Sequence, residues 1–300
     1  MAHVPVLLAE CMELLAVKAG GLYVDGTLGL GGHAAEVLLR SAPGGRLLGV
    51  DRDGETLARA QAALAGFGPR ARFVQADFRE VPALLAGDRA DGILLDLGVS
   101  SLQLDTAERG FSFQADGPLD MRMDRSGGET AAEVVNRTRE ADLADLIYKF
   151  GEERASRRIA RAITRARERA PIRTTGELAE IVRRAAPRSR RPGLHPATRT
   201  FQAVRIHVNR ELEGLSPALE SLAACLAPGG RLVVIAFHSL EDREVKHTFR
   251  GLASRGYRLL TKKPIRPGEE ETRGNPRARS ARLRGIAREE ALERPDQEAA

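Results

Sequence analysis

The 300-residue chain contains no tryptophan, only three tyrosines and nine phenylalanines, and only two cysteines. Cys11 and Cys225 both sit in apolar helical patterns, which reads as two reduced thiols and not as a crosslinked scaffold. No CxxC or Cys/His cluster has zinc-ligand spacing, so no metal is expected. No apolar run approaches the ~18 residues that span a bilayer. The short apolar N-terminal run is broken by Glu10 and lacks a basic flank, so no secretory signal is expected. Together these absences point to a soluble cytoplasmic protein. Lysine is scarce as well: Lys18, Lys149, Lys246, Lys262 and Lys263 are the only five, and the other basic residues are arginines.

What the chain has is a 42% hydrophobic content, enough for a sizeable core, and a net charge of +6. A basic balance favours a polyanionic partner, although a G+C-rich genome gives the same arginine bias. The charge is concentrated. Between Arg154 and Arg191 there are thirteen arginines against Glu168, Glu177 and Glu180, a net of +10. That density favours a phosphate-binding surface over a merely solvated helix face.

The first hundred residues alternate strand and helix. Strands are predicted at Leu22–Asp25, Arg46–Asp51, Arg72–Asp77 and Asp91–Leu97. Helices are predicted at His33–Arg40, Glu55–Leu64 and Val81–Leu85. Apolar strands separated by helices mean a parallel sheet covered on both faces. From Leu104 to about Gly128 a polar loop takes over, and then a helical pattern interrupted by Pro171, Pro187, Pro192 and Pro196 runs to about Ile206. The α/β rhythm returns with a helix at Leu212–Leu226, a buried strand at Arg231–Phe237, and a closing strand pair at Tyr257–Lys262 and Ala281–Ala287. The expected organisation is one α/β doubly wound domain, residues 1–107 and 207–300, split by an all-helical insertion, residues 108–206. The charged stretch from about Glu289 is expected to fray.

Val24-Asp25-Gly26-Thr27-Leu28-Gly29-Leu30-Gly31-Gly32-His33 packs its glycines between a strand and a helix start. Glycine accepts positive φ there and lets a ligand touch the backbone. Gly29-Leu30-Gly31-Gly32-His33-Ala34 satisfies the dinucleotide form G-x-G-x-x-G/A, with Asp51 placed to hold a ribose. An S-adenosylmethionine site uses the same acid, so the turn alone leaves both cofactors open. Three features favour the methyl donor. Asp25 ends the first strand just before the turn, which suits a cation better than a pyrophosphate. The later strands end in polar residues: Asp77-Phe78, then Asp96 with Ser100-Ser101, then His238-Ser239. No second mononucleotide-binding half follows the fourth strand.

Five blocks then resemble a known family: His3-Val4-Pro5-Val6-Leu7-Leu8-Ala9-Glu10, Tyr23 to His33, Asp96-Leu97-Gly98-Val99-Ser100-Ser101-Leu102-Gln103-Leu104-Asp105, His195 to Ile206, and Phe237-His238-Ser239-Leu240-Glu241-Asp242-Arg243. They are similar to the small-subunit rRNA cytosine-N4 methyltransferases, the MraW-type family. Pro196 departs from that pattern, where a small polar residue is expected, and bears on a local turn only.

The resemblance implies a Rossmann-like class I methyltransferase sheet and S-adenosylmethionine as cofactor. Its substrate would be the exocyclic N4 of a decoding-centre cytidine in 16S rRNA, met within the small ribosomal subunit. It maps cofactor contacts to Gly31, Gly32, His33, Asp51, Phe78, Asp96 and Gln103, to which the reading of the turn adds Asp25.

For the chemistry, Asp96 is expected to accept from the amine together with Ser100 or a backbone carbonyl. Ser100 could equally be a turn hydroxyl bonded to its own backbone. His238 could bind the base or relay the proton, or simply cap a helix. Phe111 and Phe113 read as anchors for the polar loop more than as rings that stack on a base. The rival readings are a non-enzymatic RNA-binding assembly factor that retains a cofactor pocket, and an NAD-dependent oxidoreductase.

Overall fold

The computed structural model describes residues 5–186 and 195–290. His3 and Val4 of the first block, Pro187, Arg188, Arg190, Arg191 and Pro192 of the insertion, and the tail beyond 290 lie outside the described residues. The chain divides into two compact units, Met1–Gly98 with Gly214–Ala300, and Val99–Glu213. The unit boundaries thus fall several residues outside the 108–206 insertion drawn from the sequence.

The first half of unit 1 runs α1 (Leu8–Leu15), β1 (Leu22–Asp25), α2 (Gly32–Arg40), β2 (Arg46–Asp51), α3 (Gly54–Ala63), β3 (Ala71–Gln75), α4 (Val81–Leu84) and β4 (Ala90–Asp96). The strands stand within two residues of their predicted bounds, because each is an apolar run closed by a turn signal. Asp53 caps α3, its Oδ1 accepting the Glu55 and Thr56 N–H groups. α1 carries the apolar helical pattern read around Cys11; it buries Cys11, Met12 and Leu15.

Unit 2 is helical: α5 (Ser101–Asp105), α6 (Ala131–Arg137), α7 (Glu140–Gly151), α8 (Ser156–Arg167), α9 (Thr175–Ala185) and α10 (Thr198–Asn209). It has its own core, with Val134, Leu143, Ile147, Ile159, Ile163, Leu178, Phe201 and Val204 among its members. Phe111 belongs to that core, and Phe113 packs edge-on against Phe201 at a centroid distance of 4.7 Å. Both rings therefore act as loop anchors within this unit.

The chain re-enters unit 1 with α11 (Leu215–Ala224), β5 (Leu226–Ala236), α12 (Ser239–Leu252), β6 (Tyr257–Leu259), α13 (Glu269–Gly274) and β7 (Arg282–Arg288). β5 starts five residues earlier than predicted: Ala90 pairs with Leu226 and a register shift absorbs the Pro228-Gly229-Gly230 stretch. A bulge is where a strand tolerates proline and glycine.

The sheet order is β3-β2-β1-β4-β5-β7-β6. β1 to β5 pair in parallel, and β7 runs antiparallel to both neighbours. This is the doubly wound sheet expected for a Rossmann-like class I methyltransferase. Its order reverses at β1 and β4, so the crevice lies at the carboxyl ends of those strands. Both cysteines are unbonded; Cys11 is buried, whereas Cys225 is only half-buried. Among the described residues no helix is long and apolar enough to cross a membrane.

Candidate active site

The glycine turn leaves β1 tied on both sides. Gly26 N–H donates to Leu94 O of β4, and Leu28 N–H donates to Val50 O of β2. Gly29 and Gly31 take φ of +54° and +81°. A Cβ on Gly31 would come 2.9 Å from Leu64 Cδ1, and one on Gly32 would come 2.4 Å from Pro5 Cγ. The turn is thus cut to fit its surroundings, and its N–H groups lead into the N-terminus of α2.

Asp51 is held from two directions. Its Oδ2 accepts Gly29 N–H at 2.8 Å and its Oδ1 accepts Asp53 N–H at 2.9 Å. Burial outweighs these bonds and pushes its carboxyl up to about 6. Asp25 is buried and accepts the Thr27 N–H at 3.2 Å. Burial, with Asp51 nearby, raises it to about 7.

Asp96 closes β4. Its N–H donates to Thr27 Oγ1 at 2.5 Å, which locks its backbone to the glycine turn. Its Oδ1 is buried and has no hydrogen-bond partner among the described residues. Burial first, then Asp25 and Glu241, push its carboxyl up to about 8. Three carboxyls in one crevice therefore all resist ionisation, and a buried unpaired acceptor is costly. A positively charged group placed among them removes both penalties. A pyrophosphate would add to them, so the dinucleotide reading fails on charge.

His33 opens α2 and is buried. Its Nε2 lies 3.0 Å from Val6 O. A carbonyl only accepts, so Nε2 carries a hydrogen. The ring's Nδ1 is 3.9 Å from Asp96 Oδ2. Phe78 follows β3 and lies against the turn: a Cβ on Gly26 would meet Leu95 Cδ2 at 2.6 Å and Phe78 Cβ at 3.1 Å. The Arg79 guanidinium lies over the Phe78 ring at 4.8 Å.

His238 follows β5 and caps α12. Its Nδ1 accepts Glu241 N–H at 3.3 Å, and Glu241 Oε2 accepts the Phe237 N–H at 2.9 Å. Its Nε2 sits 3.1 Å from Glu241 Oε1. Reading the sequence passed over Glu241, which is buried at the same end of the sheet. The signal was there: His238-Ser239-Leu240-Glu241 has capping-box spacing, with histidine in the place usually taken by serine or threonine.

Unit 1 thus brings together the glycine turn, Asp25, His33, Asp51, Phe78, Asp96 and the His238–Glu241 pair. Ser100 and Gln103 belong to unit 2, where they join each other. Ser100 Oγ accepts Gln103 N–H at 3.3 Å, and Gln103 Oε1 accepts Ser100 N–H at 3.0 Å. This capping box starts α5. Ser100 still has a hydroxyl hydrogen to donate.

The sequence profile of the MraW methylase family matches residues 1–289. The ribosomal RNA small subunit methyltransferase H of Acidobacterium capsulatum is 53% identical over 290 residues, covering 94% of this chain and 97% of that protein. The protein of the same name from Koribacter versatilis is 52% identical over 299 residues, covering 96% and 94%. That of Symbiobacterium thermophilum is 50% identical over 311 residues, covering 97% and 98%. With the acid-lined crevice and the sheet order already in place, this similarity along nearly the whole length means that the chain belongs to the MraW methylase family, with S-adenosylmethionine as its cofactor.

Proposed function

We propose that the protein methylates small-subunit ribosomal RNA in the cytoplasm, at the exocyclic N4 of a decoding-centre cytidine of 16S rRNA. The relatives' shared name supports the RNA, and the family resemblance supports the base. The observation that carries the chemistry is the buried, unpartnered Asp96 Oδ1 at the end of β4.

S-adenosylmethionine supplies a methyl group on a positive sulfur. In the proposal Asp25, Gly31, Gly32, His33, Asp51, Phe78, Asp96 and Gln103 hold it. Asp25 and Asp96 balance its charge and Asp51 keeps the turn in shape. Cytosine N4 is a weak nucleophile because its lone pair is delocalised into the ring. An acceptor on its N–H restores electron density, and Asp96 Oδ1 is such an acceptor. Fixing N4 in line contributes a large share of the rate. The methylated nitrogen then sheds a proton. Beside the positive sulfur Asp96 would be ionised; once the methyl group has moved and that charge is gone, its carboxylate can take the proton, because burial favours the protonated form. Glu241 is close enough to shift Asp96 and touches His238, so this pair is the proposed onward relay. Ser100 is proposed to steady the amine with its hydroxyl. The base reaches the crevice flipped or single-stranded, while the arginine-rich insertion holds phosphates without reading sequence.

The test is mass mapping of small-subunit RNA after incubation with the enzyme and labelled cofactor. One N4-methylated cytidine is expected. Label on a ring carbon or a ribose would reject the N4 assignment. Unlabelled RNA, despite cofactor bound in a calorimeter, would favour a non-enzymatic assembly factor.

A further inference from the structure

The insertion is not the only basic region. The connection from β6 to β7, residues 260–281, is a second one, and no role has been assigned to it above. Lys262, Lys263, Arg266 and Arg279 within it are all exposed, and none makes an ion pair among the described residues. Several insertion arginines differ in this respect. Arg183 and Arg184 share Glu180, and Arg161 and Arg199 face Glu140 and Glu153. An arginine already paired must give up a partner before it meets a phosphate; these four of the connection's six cations give up only water.

This connection is also built, not merely tethered. Ile265 and Leu283 exchange both backbone hydrogen bonds, at 3.0 and 2.9 Å. That bridge holds the 262–266 stretch beside the entry to β7. Ala278 and Ala281 are buried in the same core as Val6 and Leu7, while Arg277 and Arg279 alternate with them on the surface. Finally, Glu271 Oε1 accepts the Leu7 N–H at 2.7 Å. The next carbonyl along, Val6 O, receives His33 Nε2–H, and His33 faces Asp96. A short chain of direct contacts therefore joins the basic connection to the proton acceptor.

We propose that residues 260–281 form a second RNA-backbone surface, carried by the methyltransferase unit itself and set beside the cofactor crevice. It rests on the RNA reading above. Its occupant is the sugar–phosphate backbone flanking the target nucleotide. A grip there fixes the strand at the point of chemistry, whereas the insertion supplies affinity elsewhere along it. Because the contacts are to phosphate, they contribute affinity and register but no sequence reading.

The test uses the full chain with Lys262→Gln, Lys263→Gln, Arg266→Gln and Arg279→Gln combined. Binding of a small-subunit RNA fragment is followed as salt is raised. Each lost phosphate contact flattens the log–log slope by about 0.7 for single strands, so the variant's slope should be shallower by about 2–3. Its affinity at fixed moderate salt should fall at least about tenfold. Cofactor affinity by calorimetry should match the parent, which shows that the fold is intact. An unchanged slope overturns the inference, and so does weaker binding at the parent's slope, which would mark a protein-facing surface. Methyl transfer by the parent is scored separately. A parent that binds RNA through this loop but transfers no methyl defeats the catalytic reading alone.

Discussion

Asp96 shows how one side chain can be unfavourable for the empty protein and necessary for the loaded one. Its folded pKa, about 8, lies far above that of an unfolded aspartate. The folded state therefore binds the proton more tightly, and stability is lost as pH rises from about 4 towards 8. Asp25 and Asp51 act the same way, with windows ending at about 7 and about 6. Asp96→Asn removes the charge and keeps the shape. Without cofactor this variant should melt higher than the parent at pH 8, and the difference should shrink towards pH 5. With saturating cofactor its turnover should drop by about a hundredfold or more, the scale of a lost acid–base group. Equal melting at pH 8 would contradict the assigned burial, and unchanged turnover would remove Asp96 from the chemistry. Cofactor binding near pH 7 should also release protons from these carboxyls. Calorimetry in two buffers of different ionisation enthalpy would reveal it, and identical heats would show that the three acids are already ionised.

Among the elements, the strand-to-helix junctions combine shape with chemistry. At Gly31 the φ of +81° and the Leu64 contact leave no room for a side chain. Gly31→Ala should cost about 1–2 kcal/mol from the left-handed backbone alone, and cofactor affinity should fall with it. A variant with the parent's stability and affinity would mean that the turn relaxes freely. At α12 the cap and the proposed relay are the same residue, His238, and two variants separate them. His238→Ala removes the cap and should cost about 1 kcal/mol. His238→Asn keeps a good cap and loses the imidazole. It should melt like the parent yet turn over more slowly, with a shifted pH profile. Full activity in the asparagine variant would leave His238 as a cap only.

Over the whole chain the excess charge is +6, with the insertion arginines as its densest region. Arg158 and Arg165 lie exposed on α8, seven residues apart and so two turns along the same face. Binding of small-subunit RNA should weaken steeply with salt, and Arg158→Gln with Arg165→Gln should flatten the slope by about 1.4. A slope indifferent to both would direct the insertion towards a protein partner. The division into two units, each with its own core, follows from the pattern of apolar residues. Strand-length apolar runs end near residue 97 and resume near 231, and between them the periodicity is helical.

Legibility followed locality. The glycine turn, Asp25, Asp51 and Asp96 could be read from the chain because a parallel sheet places strand ends in one crevice. That β1 to β5 pair in parallel follows from the alternation of strand and helix, whereas their order was shown only by the structure. The helical pattern around Cys11 was legible, but α1 is only eight residues long, too short for its bounds to show. β5 began early because its pairing with β4 tolerates a bulge at Pro228 that local propensity forbids. Ser100 and His238 were identified as polar residues after strands, but their commitments to Gln103 and Glu241 depend on rotamers. Glu241 matters only because β5 pairs beside β4, which brings the first turn of α12 near enough for its charge to reach Asp96. Sequence spacing thus establishes which groups are available along each strand and helix. Folding sets what each one touches and how much water remains around it, and so which carboxyl keeps its proton, because burial and charge depend on neighbours distant in the chain.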